Sequence, residues 1–192
     1  MRIVSGRLRG RRLVYPRAGL RPTKEMTRQA IFNILGRRVT GARVLDLFAG
    51  GGSLGIEALS RGARSAVFVE KSAGAVRFLR ENARGLAGAR VVRGDVLRVL
   101  RRLKGEQFDL ILADPPYCNG LVQPTIDLVV QYEILAPDGW FVVEHHRQEE
   151  PVGPAGWEVL GKGRFGESLV TVFHRSRTDG CNSRVCGNDR AE

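Results

Sequence analysis

The sequence predicts an open α/β fold with a basic N-terminal extension, and three observations lead to that prediction. From residue 42 onward, short apolar runs alternate with segments of helical periodicity, which is typical of a parallel sheet with helices on both faces. A glycine-rich stretch at residues 50–55 separates the first apolar run from the first helical segment of this region. The excess of basic residues lies before residue 44.

Residues 1–41 form the predicted extension. Its N-terminal arm, residues 1–20, contains β-type pieces (RIVSG and RRLVYP) broken by glycines, which predicts a hairpin or an extended segment. Thr23 can cap the helix that follows the arm. The apolar face of that helix is expected to consist of Met26, Ala30, Ile31, Ile34 and Leu35.

Residues 42–176 form the second predicted unit, which holds the sheet. Its apolar runs predict strands over residues 43–48, 65–70, 89–94, 108–114 and 140–145, with two more edge strands within 157–175. Its periodic segments predict helices over residues 56–62, 73–86, 95–103 and 121–135. The last residues, 177–192, are polar and lack periodicity, so we expect a disordered tail there.

The net charge of +11 is carried by the first 43 residues, which hold twelve basic side chains and one acid, Glu25. Arginine dominates this segment, and guanidinium groups suit bidentate contacts with phosphates. We therefore expect the arm to bind nucleic acid. A solvated basic face, or an arginine-rich composition that reflects a GC-rich genome, would give the same pattern.

The composition excludes several classes of protein. With 43% hydrophobic and 27% charged residues, the chain is typical of a soluble globular protein. No apolar run approaches the roughly 20 residues that a membrane span needs, and the first residues lack the apolar core of a secretory signal. Three cysteines do not make a disulfide framework. We expect a cytoplasmic monomer without a membrane partner.

The glycine-rich stretch predicts a nucleoside-type cofactor. Gly50, Gly52 and Gly55 fit the spacing G-x-G-x-x-G directly after a predicted strand. Glu70, at the end of the second predicted strand, is placed to accept a ribose hydroxyl. Asp95 follows the third strand and is placed to accept the exocyclic amine of an adenine, although it can also cap the helix that it precedes.

Asp46 favours S-adenosylmethionine over a dinucleotide. A dinucleotide would place its pyrophosphate at the helix N-terminus that the glycines open. A carboxylate just before the glycines would repel that pyrophosphate, whereas it suits the ammonium group of a methionine moiety. A dinucleotide-dependent oxidoreductase is therefore the weaker interpretation of the same glycines.

The turn Asp114-Pro115-Pro116-Tyr117 ends the fourth predicted strand, where ligands bind in open α/β sheets. Prolines remove N–H donors and stiffen the turn, so the Asp114 carboxylate and the carbonyl oxygens become fixed acceptors. Fixed acceptors suit an exocyclic amine on a base, and Tyr117 offers a flat face for that base. These four residues are the predicted catalytic residues. Cys118 is interpreted as a packing residue, since the nearby carboxylate disfavours a nucleophilic thiolate.

Together these motifs resemble the class I S-adenosylmethionine-dependent methyltransferases that act on exocyclic amino groups. More narrowly, the chain resembles the bacterial 16S rRNA guanine-N2 methyltransferases, the RsmD family, from residue 1 to about 175. The stretch LDLFAGGGSLGIEALSRGA is specific to that group, whereas Asp-Pro-Pro-Tyr is shared with adenine-N6 DNA methyltransferases. Two departures are visible: Gly51 stands where serine is more usual, and KEMTRQ replaces the common TDRVRE.

The resemblance implies a Rossmann-like sheet of seven strands with an antiparallel last strand near residues 168–174. It implies methyl transfer from S-adenosylmethionine to guanine N2 of 16S rRNA, within a small-subunit particle. The cofactor contacts that it implies are Asp46, Phe48, Ala49, Gly50, Gly51, Gly52, Glu70, Lys71, Asp95 and Val96. The RNA contacts that we expect are Arg7, Arg9, Arg11, Arg12, Arg21, Thr23 and Arg28.

Several alternatives stay open at this point. The residues alone do not name the base, because adenine, guanine and cytosine all carry an exocyclic amine, so an adenine-N6 methyltransferase is the nearest alternative. A non-catalytic RNA-binding protein is a second one. No metal is expected, since Cys181 and Cys186 are too few for a zinc site. His145 and His146 end a predicted strand and are interpreted as a surface pair.

Overall fold

A computed structural model describes residues 1–15 and 25–176. The Thr23 cap and the tail at residues 177–192 therefore lie outside the described residues. The helices are α1 (Glu25–Leu35), a short 3-10 helix (Gly36–Val39), α2 (Ser53–Ser60), α3 (Ala73–Ala83), α4 (Val96–Arg102) and α5 (Val122–Gln131). The strands are β1 (Arg43–Leu47), β2 (Ser65–Glu70), β3 (Ala89–Arg93), β4 (Phe108–Ala113), β5 (Leu135–His146), β6 (Glu158–Phe165) and β7 (Ser168–His174).

The seven strands form one sheet in the order β3-β2-β1-β4-β5-β7-β6. Strands β1 to β5 pair in parallel, whereas β7 runs antiparallel between β5 and β6. The predicted fold class is confirmed, including the antiparallel last strand. The strand order reverses direction between β1 and β4, and open α/β sheets bind ligands at such a point.

Side chains from the two faces of the sheet form two apolar clusters. Along β1, Val44 belongs to the cluster under α1 and α2, while Leu45 and Leu47 belong to the cluster under α4 and α5. This alternation follows from the two-residue period of a strand that is covered on both faces. Strand β1 is therefore rigidly held, and so are the loops at its carboxyl end.

Helix α1 packs with a different face from the one predicted. Met26 is 75% exposed and Ile34 is 38% exposed, so neither lies in the core. The buried face instead consists of Thr27, Arg28, Ile31, Phe32 and Leu35. The reason is that the buried Glu57 on α2 provides a partner for Arg28. The burial of Arg28 rotates the helix away from the orientation that would bury only its apolar side chains.

The arm is fastened to α2 through the carboxylate of Glu57 and through Ser60, which bonds to Ser5, Arg7 and Leu8. Glu57 Oε2 accepts a hydrogen bond from Val4 N at 2.8 Å, and Oε1 accepts one from Ser5 N at 3.0 Å. The same carboxylate is ion-paired with Arg28 at 3.5 Å and with Arg61 at 2.8 Å. The Arg28 and Glu57 side chains are both fully buried.

The described part of the arm folds back on itself and belongs to the main core. Ile3 N bonds to Arg11 O at 3.0 Å, and Leu13 N bonds to Met1 O at 3.0 Å, although only one isolated bridge, between Arg2 and Arg12, is formed. Ile3 and Leu13 are buried in the same cluster as the helix α2 side chains. The expected boundary at residue 41 is therefore crossed by many contacts.

None of the described helices combines the length and the apolar character that crossing a bilayer requires.

Replacement of Glu57 by alanine is expected to lower the free energy of unfolding by about 3–5 kcal/mol, because it leaves a buried arginine without its partner. The matched control is Glu106→Ala, since Glu106 pairs with Arg43 and Arg90 on the exposed surface. That control is expected to cost no more than about 1 kcal/mol. Chemical denaturation measures both changes, and equal losses in the two variants would contradict the buried ion pair's role.

Candidate active site

The carboxyl ends of β1 and β4 lie side by side, and this adjacency builds the site. Leu47 at the end of β1 pairs with Ala113 at the end of β4. Beyond them, Asp114 N approaches Leu47 O at 3.4 Å. The glycine loop (residues 48–52) and the Asp-Pro-Pro-Tyr turn (residues 114–117) therefore leave the sheet from neighbouring strands, as the sequence predicts.

The glycine loop has a tight and partly strained backbone. Phe48 adopts a left-handed conformation with φ 59°, which costs on the order of 1–3 kcal/mol for a residue other than glycine. Ala49 N bonds to Val69 O at 3.0 Å, which ties the loop to the end of β2. A Cβ atom on Gly55 would lie 2.3 Å from Phe68 Cε1, so glycine is required where α2 approaches the sheet.

Asp46 lies beneath the loop and is 1% exposed. Its Oδ2 accepts a hydrogen bond from Gly55 N at 2.8 Å, in the first turn of α2. Burial, opposed by this hydrogen bond and assisted by the nearby Glu70 carboxylate, raises the pKa of Asp46 to about 7. A carboxylate thus occupies the helix N-terminus at which a dinucleotide would place its pyrophosphate.

Glu70 closes the other side of the loop from the end of β2. Its Oε2 accepts a hydrogen bond from Gly50 N at 2.8 Å, and its Oε1 accepts one from Ser72 N at 2.6 Å. Each carboxylate oxygen keeps a second lone pair for a ribose hydroxyl. These carboxylate acceptors therefore fit S-adenosylmethionine, which offers an ammonium group, two ribose hydroxyls and an adenine amine as hydrogen-bond donors.

Asp95 performs the capping role that the sequence left open. Its Oδ1 accepts a hydrogen bond from Arg98 N at 3.3 Å in the first turn of α4, which begins with the buried Val96. Lys71 Nζ lies 3.2 Å from Asp95 Oδ2. Partial burial acts to raise the pKa of Asp95, but the contacts with Lys71 and Arg98 outweigh it and lower that pKa.

Tyr15 of the arm covers the glycine loop, a contact that sequence reasoning missed. A Cβ atom on Gly51 would lie 2.4 Å from Tyr15 Cε1, so the tyrosine ring fills the space of a side chain at that position. Asn82 connects the same pieces: its Nδ2 donates to Gly51 O at 2.9 Å and to Val14 O at 3.0 Å. Arm, loop and α3 are thereby joined at one buried amide.

The Asp-Pro-Pro-Tyr turn is held by residues of β5 and β7 that sequence reasoning also missed. Tyr117 Oη donates to Glu144 Oε1 at 2.7 Å and lies 2.5 Å from Ser168 Oγ. Burial and the Glu144 and Asp114 carboxylates raise the pKa of the Tyr117 hydroxyl, against the opposing hydrogen bond with Ser168, so it stays a donor. The hydroxyl fixes the orientation of the ring that we expect to meet the base.

The chain after this turn is pinned by Glu149, which follows β5. Glu149 Oε2 accepts a hydrogen bond from Cys118 N at 2.6 Å, and its Oε1 accepts one from Gly120 N at 3.0 Å. Cys118 is exposed, so its interpretation as a packing residue is wrong. It has φ 56°, and this left-handed turn directs the side chain away from the core.

His145 and His146 are buried, so their interpretation as a surface pair is wrong. β5 continues through both residues and pairs with β7 there. His145 bonds through Nε2 to Thr171 Oγ1 at 2.9 Å, and burial lowers its pKa, so it is neutral and structural. The His146 ring lies 5.9 Å from the Tyr117 ring and forms part of the wall beside the turn.

The arginines expected to contact RNA fall into distinct groups. Arg7, Arg9 and Arg12 are exposed. Arg11 Nη2 donates to Asn82 O at 2.9 Å and to Arg84 O at 3.3 Å, so it fastens the arm to α3. The expectation for Arg28 is wrong, because its side chain is fully buried against Glu57. Arg21 and Thr23 lie outside the described residues.

Within residues 1–15 and 25–176, no group of three or more His, Cys, Asp or Glu side chains is arranged to hold a metal ion.

The strand order, the acidic residues around the glycine loop and the adjoining Asp-Pro-Pro-Tyr turn define a class I S-adenosylmethionine-dependent methyltransferase. Within that class, the family described as Conserved hypothetical protein 95 matches residues 1–174, and the chain belongs to this family. The family resemblance seen in the sequence is confirmed.

Named relatives agree with this assignment. "Ribosomal RNA small subunit methyltransferase D" of Escherichia coli K12 is 35% identical over 179 residues, covering 91% of the chain and 90% of that protein. "Putative rRNA methyltransferase YlbH" of Bacillus subtilis is 38% identical over 182 residues, covering 91% of the chain and 99% of that protein. The solved structure "Putative methyltransferase yhhF from Escherichia coli" has a TM-score of 0.83 at 35% identity and covers 92% of the chain and 98% of its own.

Replacement of Asp46 by asparagine is expected to stabilise the protein without cofactor, and to do so by a larger margin at pH 8 than at pH 5. The folded protein raises the pKa of this carboxyl from 3.8 to about 7, so the charged form costs stability as the pH rises through that window. Asparagine removes the cost, which is at most about 4 kcal/mol, and its amide oxygen can still accept from Gly55 N. Thermal denaturation at both pH values measures the change.

The same Asp46→Asn variant is expected to bind S-adenosylhomocysteine about tenfold or more weakly, since hydrogen bonds to charged groups are worth roughly 1.5–3 kcal/mol. Asp109→Asn is the control, because Asp109 is an exposed carboxylate that bonds to Arg43 N at the far end of β4. Titration calorimetry at pH 8 compares the three proteins. Unchanged affinity in Asp46→Asn would remove Asp46 from the cofactor contacts.

Proposed function

We propose that the protein transfers a methyl group from S-adenosylmethionine to the exocyclic N2 amine of a guanine in small-subunit (16S) ribosomal RNA. The single observation that supports this most is the adjacency of the glycine loop to the Asp-Pro-Pro-Tyr turn, at 3.4 Å between Asp114 N and Leu47 O. The names of the relatives support ribosomal RNA as the substrate. The choice of guanine rests on the family resemblance.

The Asp-Pro-Pro-Tyr turn provides the groups that contact the amine to be methylated. The lone pair of a guanine amine is delocalised into the ring, so the amine is a poor nucleophile until its geometry changes. The Asp114 carboxylate and the Pro115 carbonyl accept hydrogen bonds from the two N–H groups of the amine, which favours a pyramidal nitrogen. The fixed acceptors also face the positive charge that develops on that nitrogen, so they stabilise the transition state.

When bound, S-adenosylmethionine would supply an electrophilic sulfonium methyl group, whose bond to sulfur would break as the bond to the amine forms, leaving S-adenosylhomocysteine. The glycine loop, Asp46 and Glu70 hold the cofactor on β1 and β2, while the turn on β4 holds the base. Because the two loops are fixed to neighbouring strands, positioning supplies much of the rate. The amine proton leaves afterwards to Asp114 or to water.

The target base has to leave its stack before it reaches this turn. Tyr117 is suited to receive it, because its hydroxyl is tied to Glu144 and Ser168 and its ring is therefore preset. Stacking on an aromatic ring offsets roughly 1–3 kcal/mol of the cost of extruding a base. The buried wall formed by Glu144 and His146 excludes water on that side.

The exposed arginines of the arm extend the RNA-binding surface beyond the site. Arg7, Arg9 and Arg12 project from a segment that Glu57 and Asn82 hold against the catalytic core, so phosphate contacts there position the RNA relative to the turn. We expect the acceptor to be an assembled small-subunit particle rather than free RNA, and the enzyme to act as a monomer in the cytoplasm.

The alternatives are disfavoured by specific contacts. Asp46 at the α2 N-terminus opposes a pyrophosphate, which disfavours a dinucleotide-dependent oxidoreductase. The turn is anchored through Tyr117 and Glu149, which disfavours a binding protein with a decayed site. Asp114 stands where protein-glutamine methyltransferases carry asparagine. Adenine-N6 methyltransferases carry the same Asp-Pro-Pro-Tyr turn, so the methylation experiment decides between guanine and adenine.

The experiment is methyl transfer from labelled S-adenosylmethionine to three acceptors: small-subunit particles that lack the endogenous modification, the matching naked rRNA, and duplex DNA. Each product is digested to nucleosides. We expect label in N2-methylguanosine from rRNA, with particles as the better acceptor. Label in N6-methyladenosine or in DNA would overturn the substrate while leaving the fold and cofactor intact. The absence of label from every acceptor would argue against the enzyme activity itself.

Asp114→Ala is expected to lower kcat by about 100-fold or more, as the loss of a preorganised polar group typically does. Its control is Asp127→Ala, since Asp127 is an exposed α5 carboxylate that accepts a hydrogen bond from Gln123 Nε2 at 2.9 Å. Steady-state methylation of rRNA gives both values. Near wild-type turnover in Asp114→Ala would take this carboxylate out of the mechanism.

A further inference from the structure

We propose that a groove along α3, lined by Arg77, Arg80, Arg84 and Arg93, binds backbone phosphates of the substrate RNA. This inference rests on the proposed function, because it takes ribosomal RNA to be the partner. It adds a further RNA contact surface to the arm and the Asp-Pro-Pro-Tyr turn. We call this surface the α3 groove.

The α3 groove is an open cavity of about 450 Å³ between α3 and the end of β3. Arg77 and Arg80 lie on α3, Arg84 is the residue at its C-cap, and Arg93 is the last residue of β3. All four side chains are exposed. Glu81 is the one acid among the residues that line the groove, so the lining carries a net positive charge.

The four arginines have no ion-pair partner within the described residues, although other arginines of the chain do. Arg43 and Arg90 pair with Glu106, and Arg61 pairs with Glu57. Arg80 lies in the last turn of α3 and Arg84 is the residue at its C-cap, so their like charges are close together and repel each other. An anionic ligand in the groove would offset that repulsion.

The chemistry of the lining favours phosphate over base. Guanidinium groups match phosphate oxygens in a bidentate geometry. No aromatic side chain is among the lining residues, so the groove offers no platform for base stacking. Contacts of this kind position the RNA without reading its sequence.

The groove is continuous with the two surfaces that the proposed function already uses. Arg11 of the arm bonds to Asn82 O and Arg84 O, so the arm is attached to the same helix that presents the arginines. At the other side, Arg93 lies opposite Glu70 in the backbone register of β3 and β2, and Glu70 bonds to the glycine loop. An RNA strand that runs from the arm along α3 therefore passes beside the proposed cofactor site.

The test compares three double variants that each remove two positive charges. Arg80→Gln/Arg84→Gln changes the groove, and Arg9→Gln/Arg12→Gln changes the arm. Arg101→Gln/Arg102→Gln is the control, because these arginines are exposed on α4, which packs on the opposite face of the sheet. The affinity of each protein for a transcript of small-subunit rRNA is measured over a salt series.

We expect the groove variant and the arm variant each to flatten the plot of log affinity against log salt by roughly 1.4–1.8, since each lost phosphate contact accounts for about 0.7–0.9. The α4 control keeps the wild-type slope, and all proteins bind S-adenosylhomocysteine equally. A wild-type slope in the groove variant, or the same flattening in the α4 control, would contradict the proposal that the α3 groove binds RNA phosphates.

These outcomes are distinguishable from a failure of the proposed function. If wild-type protein methylates rRNA while the groove variant keeps its slope and its rate, only the groove is wrong. If wild-type protein transfers no methyl group to rRNA, the proposed function is wrong. The proposal that the α3 groove binds substrate RNA is then wrong as well. Unchanged S-adenosylhomocysteine affinity in Arg80→Gln/Arg84→Gln shows that the variant is folded.

Discussion

The carboxylate of Glu57 is the interaction on which the rest of the structure depends. It is fully buried, it accepts hydrogen bonds from Val4 N and Ser5 N, and it pairs with Arg28 and Arg61. A buried charge is costly unless its partners satisfy it. The arm and α1 supply all of those partners except Arg61, which follows α2, so the extension is tied to the sheet domain at this carboxylate.

Helix α2 transmits this constraint to the site. Gly55 N in its first turn donates to Asp46 beneath the glycine loop, and Glu57, two residues later, holds the arm. Tyr15 and Asn82 then bring the arm back onto the loop from above. The arm, which we propose contacts RNA, and the glycine loop, which we propose holds the cofactor, are therefore fixed to a common helix. This connection would position RNA bound at the arm relative to the reacting base.

The sequence predicts the parts of this arrangement that depend on local pattern. Alternating periodicity gives the sheet, and the position of Asp46, Glu70 and Asp114 at strand ends gives the site, because parallel strands end at one edge. Pairings between distant segments are not visible in the pattern. From the sequence, Arg28 is predicted to contact RNA, whereas the structure shows that it is buried against Glu57. Likewise, Gly51 differs from the usual serine for no reason visible in the sequence, whereas the structure shows that the Tyr15 ring fills the space of a side chain there.

Native-state hydrogen exchange of the full chain tests most directly whether the arm and the cofactor loop are one unit. The amide protons to compare are those of Val4 and Ser5, which donate to Glu57, and that of Gly55, which donates to Asp46. We expect all three to exchange only through a common opening, with similar protection that rises and falls together with denaturant. Rapid exchange of Val4 and Ser5 beside a protected Gly55 would contradict the account, since it would show an arm that opens independently of the catalytic core.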